Sequence, residues 1–143
     1  MFADYPPERE NTRGGRWNPP QVPAIYLSLS RDVVLAEAEY QSQAQPVRPK
    51  TRRTIYRVKL RLGNVLEIPD SLLRELGIHN TTAADYFACQ SIGGAVERIG
   101  HDGLIVSSAR ASGKNLVIYP NRTSSDYSFE VLDADVIDPG MSW

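Results

Sequence analysis

Few residues of this sequence declare a chemistry by type and spacing alone. Glu37 and Glu39 lie in a run, Arg31 to Gln41, whose Ala, Leu and Glu content favours helix. Residues two apart on a helix project about 200° from each other, so only one of these carboxylates can face a given site. His79 and His101 have no Cys or carboxylate at the spacing that completes a zinc site; each reads as a surface or loop histidine, and no metal is expected. A Gly-x-Gly-x-x-Gly turn, a phosphate-cradling P-loop and a Gly-x-Ser-x-Gly elbow are all absent, which excludes the common nucleotide and hydrolase folds. Arg48, Lys50, Arg52, Arg53, Arg57, Lys59 and Arg61 put seven cations into fourteen residues, enough for phosphate contacts. That run straddles a loop and one strand face and has only Tyr56 for stacking. A solvated face, or a surface that docks an acidic partner, is the better reading, and no direct nucleic-acid contact is expected. Taken singly, Arg16 reads as a surface arginine, Tyr26 as a core-facing strand residue and Ser108 as a loop serine.

The elements that must position such residues are legible in outline. Residues 1–23 hold Pro6, Pro7, Gly14, Gly15, Pro19, Pro20 and Pro23, and read as an irregular loop segment. Ala24–Leu29 is a short apolar strand, after which Ser30 stands where an N-cap belongs before the helix over 31–41. Residues 42–51 form a polar loop broken by Pro46 and Pro49. From Thr54 to Leu62, Tyr56, Val58, Leu60 and Leu62 alternate with Arg57, Lys59 and Arg61, as in a half-buried strand. Asn64–Ile68 pairs nearby. Asp70 is expected to cap a short helix, SLLREL, which Gly77 ends. Asn80 or Thr81 caps the next helix, through about Gln90, with Gly93 and Gly94 loosening the junction before AVERI. Strands follow at Gly103–Ser107, Asn115–Tyr119 and Ser128–Leu132. Strands and helices mix without a regular βαβ rhythm, so the fold class is α+β in one domain.

Composition agrees. The 143 residues carry 16 Lys plus Arg against 17 Asp plus Glu, with 41% apolar content, which excludes a disordered or supercharged chain. Cys89, the sole cysteine, has no partner for an internal disulfide, and no stretch nears the roughly 20 apolar residues of a membrane helix. The segment 1–20 has no apolar signal-peptide core, so a reducing cytoplasm is the expected compartment. Residues 1–62 hold 11 basic and 6 acidic side chains and residues 63–143 hold 5 and 11, a split that suggests a basic ligand-facing region.

Two blocks carry a family resemblance. Gly14-Gly15-Arg16-Trp17-Asn18-Pro19-Pro20, then Ala24-Ile25-Tyr26-Leu27-Ser28-Leu29, then Leu35-Ala36-Glu37, resembles the opening motif of the RES domain family. Gly103-Leu104-Ile105-Val106-Ser107-Ser108-Ala109-Arg110, followed by Gly113-Lys114-Asn115-Leu116-Val117, resembles its closing motif. The resemblance runs from about residue 12 to about residue 133. It implies an ADP-ribosyltransferase-like fold of mixed β-sheets with several short helices, and a bacterial toxin that consumes NAD as its substrate. It also implies a cognate helical DNA-binding antitoxin that covers the active site; a homo-oligomer is equally compatible with the sequence.

Residue by residue, Arg16 matches an arginine that lines the NAD pocket, where its fork suits the pyrophosphate. Tyr26 matches a tyrosine that stacks on nicotinamide. Glu37, selected over Glu39 by its offset from Tyr26, matches the carboxylate that supports positive charge on the ribose carbon. Ser108 matches the family serine that positions ribose or phosphate, and Asn18 and Asn115 belong to the pocket walls. Three activities share this bond cleavage: hydrolysis, phosphorolysis and protein ADP-ribosylation. A catalytically silent interaction module with the same fold is a fourth reading. In the family an earlier arginine, on a strand before the Gly-Gly-Arg-Trp-Asn run, also contacts NAD. Only fifteen residues precede Arg16 here, so that strand is expected to be missing or replaced, with Arg9 or Arg13 as stand-ins.

Overall fold

The computed structural model describes residues 1–3, 10–43, 53–79, 83–109, 111–123 and 127–137, without the side chains of 38, 40–43, 53 and 83. One seven-stranded sheet organises them: β1 (Phe2–Ala3), β2 (Ile25–Ser28), β3 (Arg53–Arg61), β4 (Val65–Glu67), β5 (Gly103–Ser107), β6 (Lys114–Ile118) and β7 (Ser128–Ile137), in the order β4-β5-β6-β2-β1-β3-β7. Every pairing is antiparallel except β4 with β5. Three α-helices, α1 (Arg31–Gln43), α2 (Asp70–Glu75) and α3 (Tyr86–Arg98), and two short 3-10 turns, Ala83–Asp85 and Pro120–Arg122, complete the described residues. No helix of the described residues is long and apolar enough to cross a membrane. The fold is α+β, as expected.

The chain forces this sheet to curl. β3 and β4 lie five strand spacings apart, roughly 24 Å across a flat sheet. The link from Arg61 to Val65 spans at most about 15 Å. The curled sheet meets that constraint: the Gly63 amide donates to Asp102 Oδ2 at 2.8 Å and the Asp102 amide to the Asn64 carbonyl at 2.7 Å, tying the end of β3 to the start of β5. The inner face is filled by strand residues from both sides, Ile25, Leu27, Val58, Leu116 and Ile118, with Leu60, Leu62 and Phe129 packed against them.

Because side chains alternate along a strand, the neighbours of these residues point to the outer face, where the helices sit. There Cys89 and Val96 of α3 and Leu73 of α2 pack with Ala24, Leu104, Val106, Val117 and Tyr119. Val34 and Leu35 of α1 pack with Phe2, Ile55 and Ile137. α1 and α3 therefore flank the same stretch of sheet, with β2 and β6 between them.

Several expectations change in detail. The segment 1–23 is not irregular throughout: Phe2–Ala3 forms a two-residue strand between β2 and β3, and the Met1 nitrogen donates to the Val58 carbonyl at 2.9 Å. The loop segment that follows is pinned by bridges from Asn11 to Ala24 and from Gly15 to Asn18. Asp70 is not a cap: Pro69 occupies that position, with no side-chain cap bond, and Asp70 is the first helical residue. Ser30 does cap α1, its hydroxyl accepting from the Val33 amide at 3.4 Å. Gly77, at φ +71°, closes α2 as expected, with the Ile78 amide bonded to the Leu73 carbonyl. Asn80 and Thr81 lie outside the described residues. α3 runs unbroken through Gly93 and Gly94, so the glycines do not loosen it. A Cβ on Gly93 would fall more than an ångström inside the 3.0 Å contact floor of the Trp17 carbonyl, so the glycine is there to let the loop dock.

The charge split resolves across one strand pair. Arg57 of β3 faces Asp133 of β7, donating from Nε at 2.9 Å and from Nη2 at 2.5 Å, and Lys59 stands opposite Glu130. Arg31 at the start of α1 reaches Asp135 at 2.6 Å. These pairs are exposed, so they set charge complementarity more than stability. Arg48, Lys50 and Arg52 lie outside the described residues.

Candidate active site

The site is built on the outer face from four segments far apart in sequence. Glu37 projects from the second turn of α1 onto the sheet, half-buried. Its Oε1 accepts from Ser108 Oγ at 2.6 Å and from Asn115 Nδ2 at 3.0 Å. A hydroxyl–carboxylate bond of that length is charge-assisted and among the stronger kinds. Both donors converge on one oxygen, and Oε2 has no hydrogen-bond partner among the described residues. Of the two helix carboxylates, it is Glu37 that meets Ser108 and Asn115.

Ser108 sits where β5 turns toward β6. Its amide donates to the Gly113 carbonyl at 2.9 Å and its Oγ accepts from the Ala111 amide at 3.3 Å, so the turn holds the hydroxyl against Glu37. Gly113 has φ +147°, and a Cβ there would run into Val33 Cγ2; the bare backbone lets the turn lie against α1. Asn115 is on β6, opposite Ser28 of β2. Ser28 is buried, and its hydroxyl donates to Asn115 Oδ1 at 3.0 Å.

A second group fixes the loop that carries Arg16. Tyr26, two residues before Ser28 and on the same face, donates its hydroxyl to Asn18 Oδ1 and accepts from the Trp17 amide at 3.0 Å. Asn18 is fully buried, and its Nδ2 donates to the carbonyls of Asn11 at 3.0 Å and Val22 at 2.7 Å. The amide of Asn18 is thus committed at both ends, to loop carbonyls through Nδ2 and to Tyr26 of β2 through Oδ1. Trp17 is buried as well, its carbonyl accepting from the Tyr119 hydroxyl at 2.8 Å. Arg16 emerges immediately before these two anchors, with its guanidinium carbon 5.3 Å from the ring centroid of Tyr86 at the start of α3. It also reaches Cys89. Burial holds the Cys89 thiol above its ordinary value, and the charge and hydrogen bond of Arg16 offset only part of that rise.

The candidate residues therefore fall into two groups joined by β2: Arg16, Asn18 and Tyr26 toward α3, and Glu37, Ser108 and Asn115 toward α1. Of the stand-in arginines, Arg9 is outside the described residues, and Arg13 lies exposed in a turn where its amide bonds Asn11 Oδ1 at 3.1 Å. Ser28, Tyr86, Gly93 and Tyr119 were not singled out by chemistry in the sequence. For Ser28 a signal existed: alternation along β2 puts it on the face of Tyr26. Among the described residues no group of three or more His, Cys, Asp or Glu could hold a metal ion.

An α+β sheet with two motif blocks meeting at one carboxylate defines the class, and comparison with known proteins agrees. The RES domain family model matches residues 1–136, and the chain belongs to that family. It is similar to proteins named NAD(+) phosphorylase MbcT in Mycobacterium bovis and Mycobacterium tuberculosis, 32% identical over 118 residues. The match covers 77% of this chain and 63% of those relatives, so the chain spans about three-fifths of their length. The fold resembles the crystal structure of the M. tuberculosis MbcT–MbcA toxin–antitoxin complex, with a TM-score of 0.75 and 24% identity, over 97% of this chain and 82% of the other.

Proposed function

We propose that this chain cleaves the bond between nicotinamide and ribose in NAD and passes the ADP-ribose unit to phosphate. The observation that carries the reading is the convergence of Glu37, Ser108 and Asn115 at one half-buried carboxylate oxygen. The name of its relatives, NAD(+) phosphorylase, favours phosphate as the nucleophile.

In the proposed step the C1′–N bond breaks with its electron pair going to nicotinamide, which leaves neutral. The ribose carbon gains oxocarbenium character, and a phosphate oxygen forms the new bond to C1′, giving ADP-ribose 1″-phosphate. Glu37 stabilises the developing positive charge through Oε2, while Ser108 and Asn115 hold Oε1 and keep the carboxylate aimed. Arg16 binds the pyrophosphate, and the Tyr26 ring bounds the nicotinamide pocket. Asn18 acts through the loop, since its amide is committed to backbone partners and to Tyr26. Water in place of phosphate gives hydrolysis, with the proton released to solvent; a protein side chain gives ADP-ribosylation. The same reading makes the chain the toxin of a pair, acting on the cytoplasmic NAD pool and silenced by a helical DNA-binding antitoxin over the site.

The test is nicotinamide release by purified protein with NAD, in phosphate and in phosphate-free buffer. Wild type is expected to release nicotinamide faster with phosphate, and Glu37→Ala to lose at least a hundredfold in rate. Equal background rates for wild type and Glu37→Ala would sink the reading. Release indifferent to phosphate would replace phosphorolysis by hydrolysis.

A further inference from the structure

We propose that Ser28 is a positioning residue of this site: through Asn115 it fixes which oxygen of Glu37 is anchored and which faces the substrate. The inference rests on the NAD-cleaving reading and adds to it a residue that touches neither Glu37 nor the reacting atoms.

An asparagine amide has a donor end and an acceptor end of nearly equal shape, and its orientation is set by its partners. Asn115 has one partner at each end. Ser28 Oγ donates to Oδ1 at 3.0 Å, and Nδ2 donates to Glu37 Oε1 at 3.0 Å. The reverse orientation would set two acceptors, Oδ1 and a carboxylate oxygen, against each other, and would use the serine as an acceptor instead. Ser28 and Glu37 therefore specify the same orientation from opposite ends. Ser28 is 4% exposed, so no bulk water replaces its hydroxyl once it is removed. Without it, Oδ1 loses its one hydrogen-bond partner among the described residues, and the amide turns or tilts to find another donor. Oε1 then keeps only Ser108, and the carboxylate can rotate about its terminal bond, so Oε2 no longer holds one direction. The side-chain chain Ser28–Asn115–Glu37 crosses from β2 through β6 to α1, and rigid sheet pairing at Ser28↔Asn115 is what gives it a fixed length.

A residue acting this way on the transition state lowers kcat more than it raises KM. The experiment compares wild type, Ser28→Ala, Ser28→Thr, Asn115→Ala and the Ser28→Ala/Asn115→Ala double variant, with kcat and KM from nicotinamide release and Tm as a folding control. Ser28→Ala is expected to lose about tenfold in kcat, with KM within twofold and cooperative melting retained. Ser28→Thr, which keeps the hydroxyl on a β-branched side chain suited to a strand, is expected to recover most of the loss. In the Asn115→Ala background Ser28→Ala should cost nothing further, because its route to Glu37 is gone. If Asn115→Ala is inactive, the Ser28→Ala and Ser28→Thr rates decide. Wild-type kcat in Ser28→Ala, a loss expressed only in KM, or full additivity in the double variant each overturn the inference alone. A wild-type protein that releases no nicotinamide overturns the underlying reading and the inference with it.

Discussion

Replacing Gly93 by alanine separates the two jobs a helical glycine can have. In an ordinary helix interior the change stabilises by ~1 kcal/mol, since alanine is the better helix former. At Gly93 the new Cβ would lie more than an ångström inside the 3.0 Å floor to the Trp17 carbonyl, which is backbone, and 2.8 Å from the Tyr119 hydroxyl. Either the loop or the helix must retreat. Overpacking of this kind costs about 1–3 kcal/mol. Retreat of the carbonyl also breaks the buried Tyr119–Trp17 hydrogen bond of 2.8 Å, and a buried hydroxyl left without an acceptor costs about 1–3 kcal/mol. Less the helix gain, the net loss is ~3 kcal/mol, or roughly 10 °C in Tm for a chain of this size. Gly94 is the internal control. Its Cβ would meet only Pro19 Cγ at 3.2 Å, Pro19 Cδ at 3.4 Å and Arg98 Nη1 at 3.5 Å, contacts that small adjustments relieve, so Gly94→Ala is expected to be neutral or slightly stabilising. Thermal and urea melts followed by circular dichroism measure both. Gly93→Ala should also lose nicotinamide release, because Trp17 sits between Arg16 and Asn18 in the docked loop. A Gly93→Ala protein that melts at or above the wild-type temperature would refute the docking argument, as would an equal loss in Gly94→Ala.

Other consequences can be measured directly. Tyr26→Phe keeps the ring but leaves the Trp17 amide and Asn18 Oδ1 without their shared hydroxyl; a loss of ~1–3 kcal/mol in urea unfolding and a raised KM for NAD are expected, whereas a purely stacking role predicts wild-type values for both. Burial, with Glu97 adding to it, pushes the Tyr119 hydroxyl well above its ordinary value of 10.0. The folded state therefore keeps a proton that the unfolded state gives up, and stability should fall as pH rises above about 10, less steeply in Tyr119→Phe. The hydrogen bond from Arg57 holds Asp133 below the usual carboxylate range. Its contribution is present above the unfolded value near 4 and is lost as pH falls through the lower folded one; the small Tm gap between wild type and Asp133→Asn should close in acid and in high salt.

The element pattern was legible where local signals were strong. The alternation of Tyr56, Val58, Leu60 and Leu62 foretold one buried face of β3, and Ser30 and Gly77 foretold a helix start and a helix end. Weak or context-dependent signals misled. A two-residue strand such as Phe2–Ala3 has no period to detect and exists because β2 and β3 flank it. β7 was expected to end at Leu132. It runs on to Ile137 because β3 offers a backbone partner as far as Arg53, and Ile137 packs with Val34 and Ile55.

The sequence by itself determined the alternating strands, the helix that carries Glu37 and the two motif blocks, because those are written in residue types a few positions apart. Its 71-residue gap between Glu37 and Ser108 says nothing about contact. Only the tertiary structure decided that one carboxylate oxygen takes both Ser108 and Asn115, that Ser28 stands behind Asn115, and that Gly93 is a docking surface for Trp17. Each of these depends on strand register and helix placement fixed by the curl of the whole sheet, and no local run of residues encodes that.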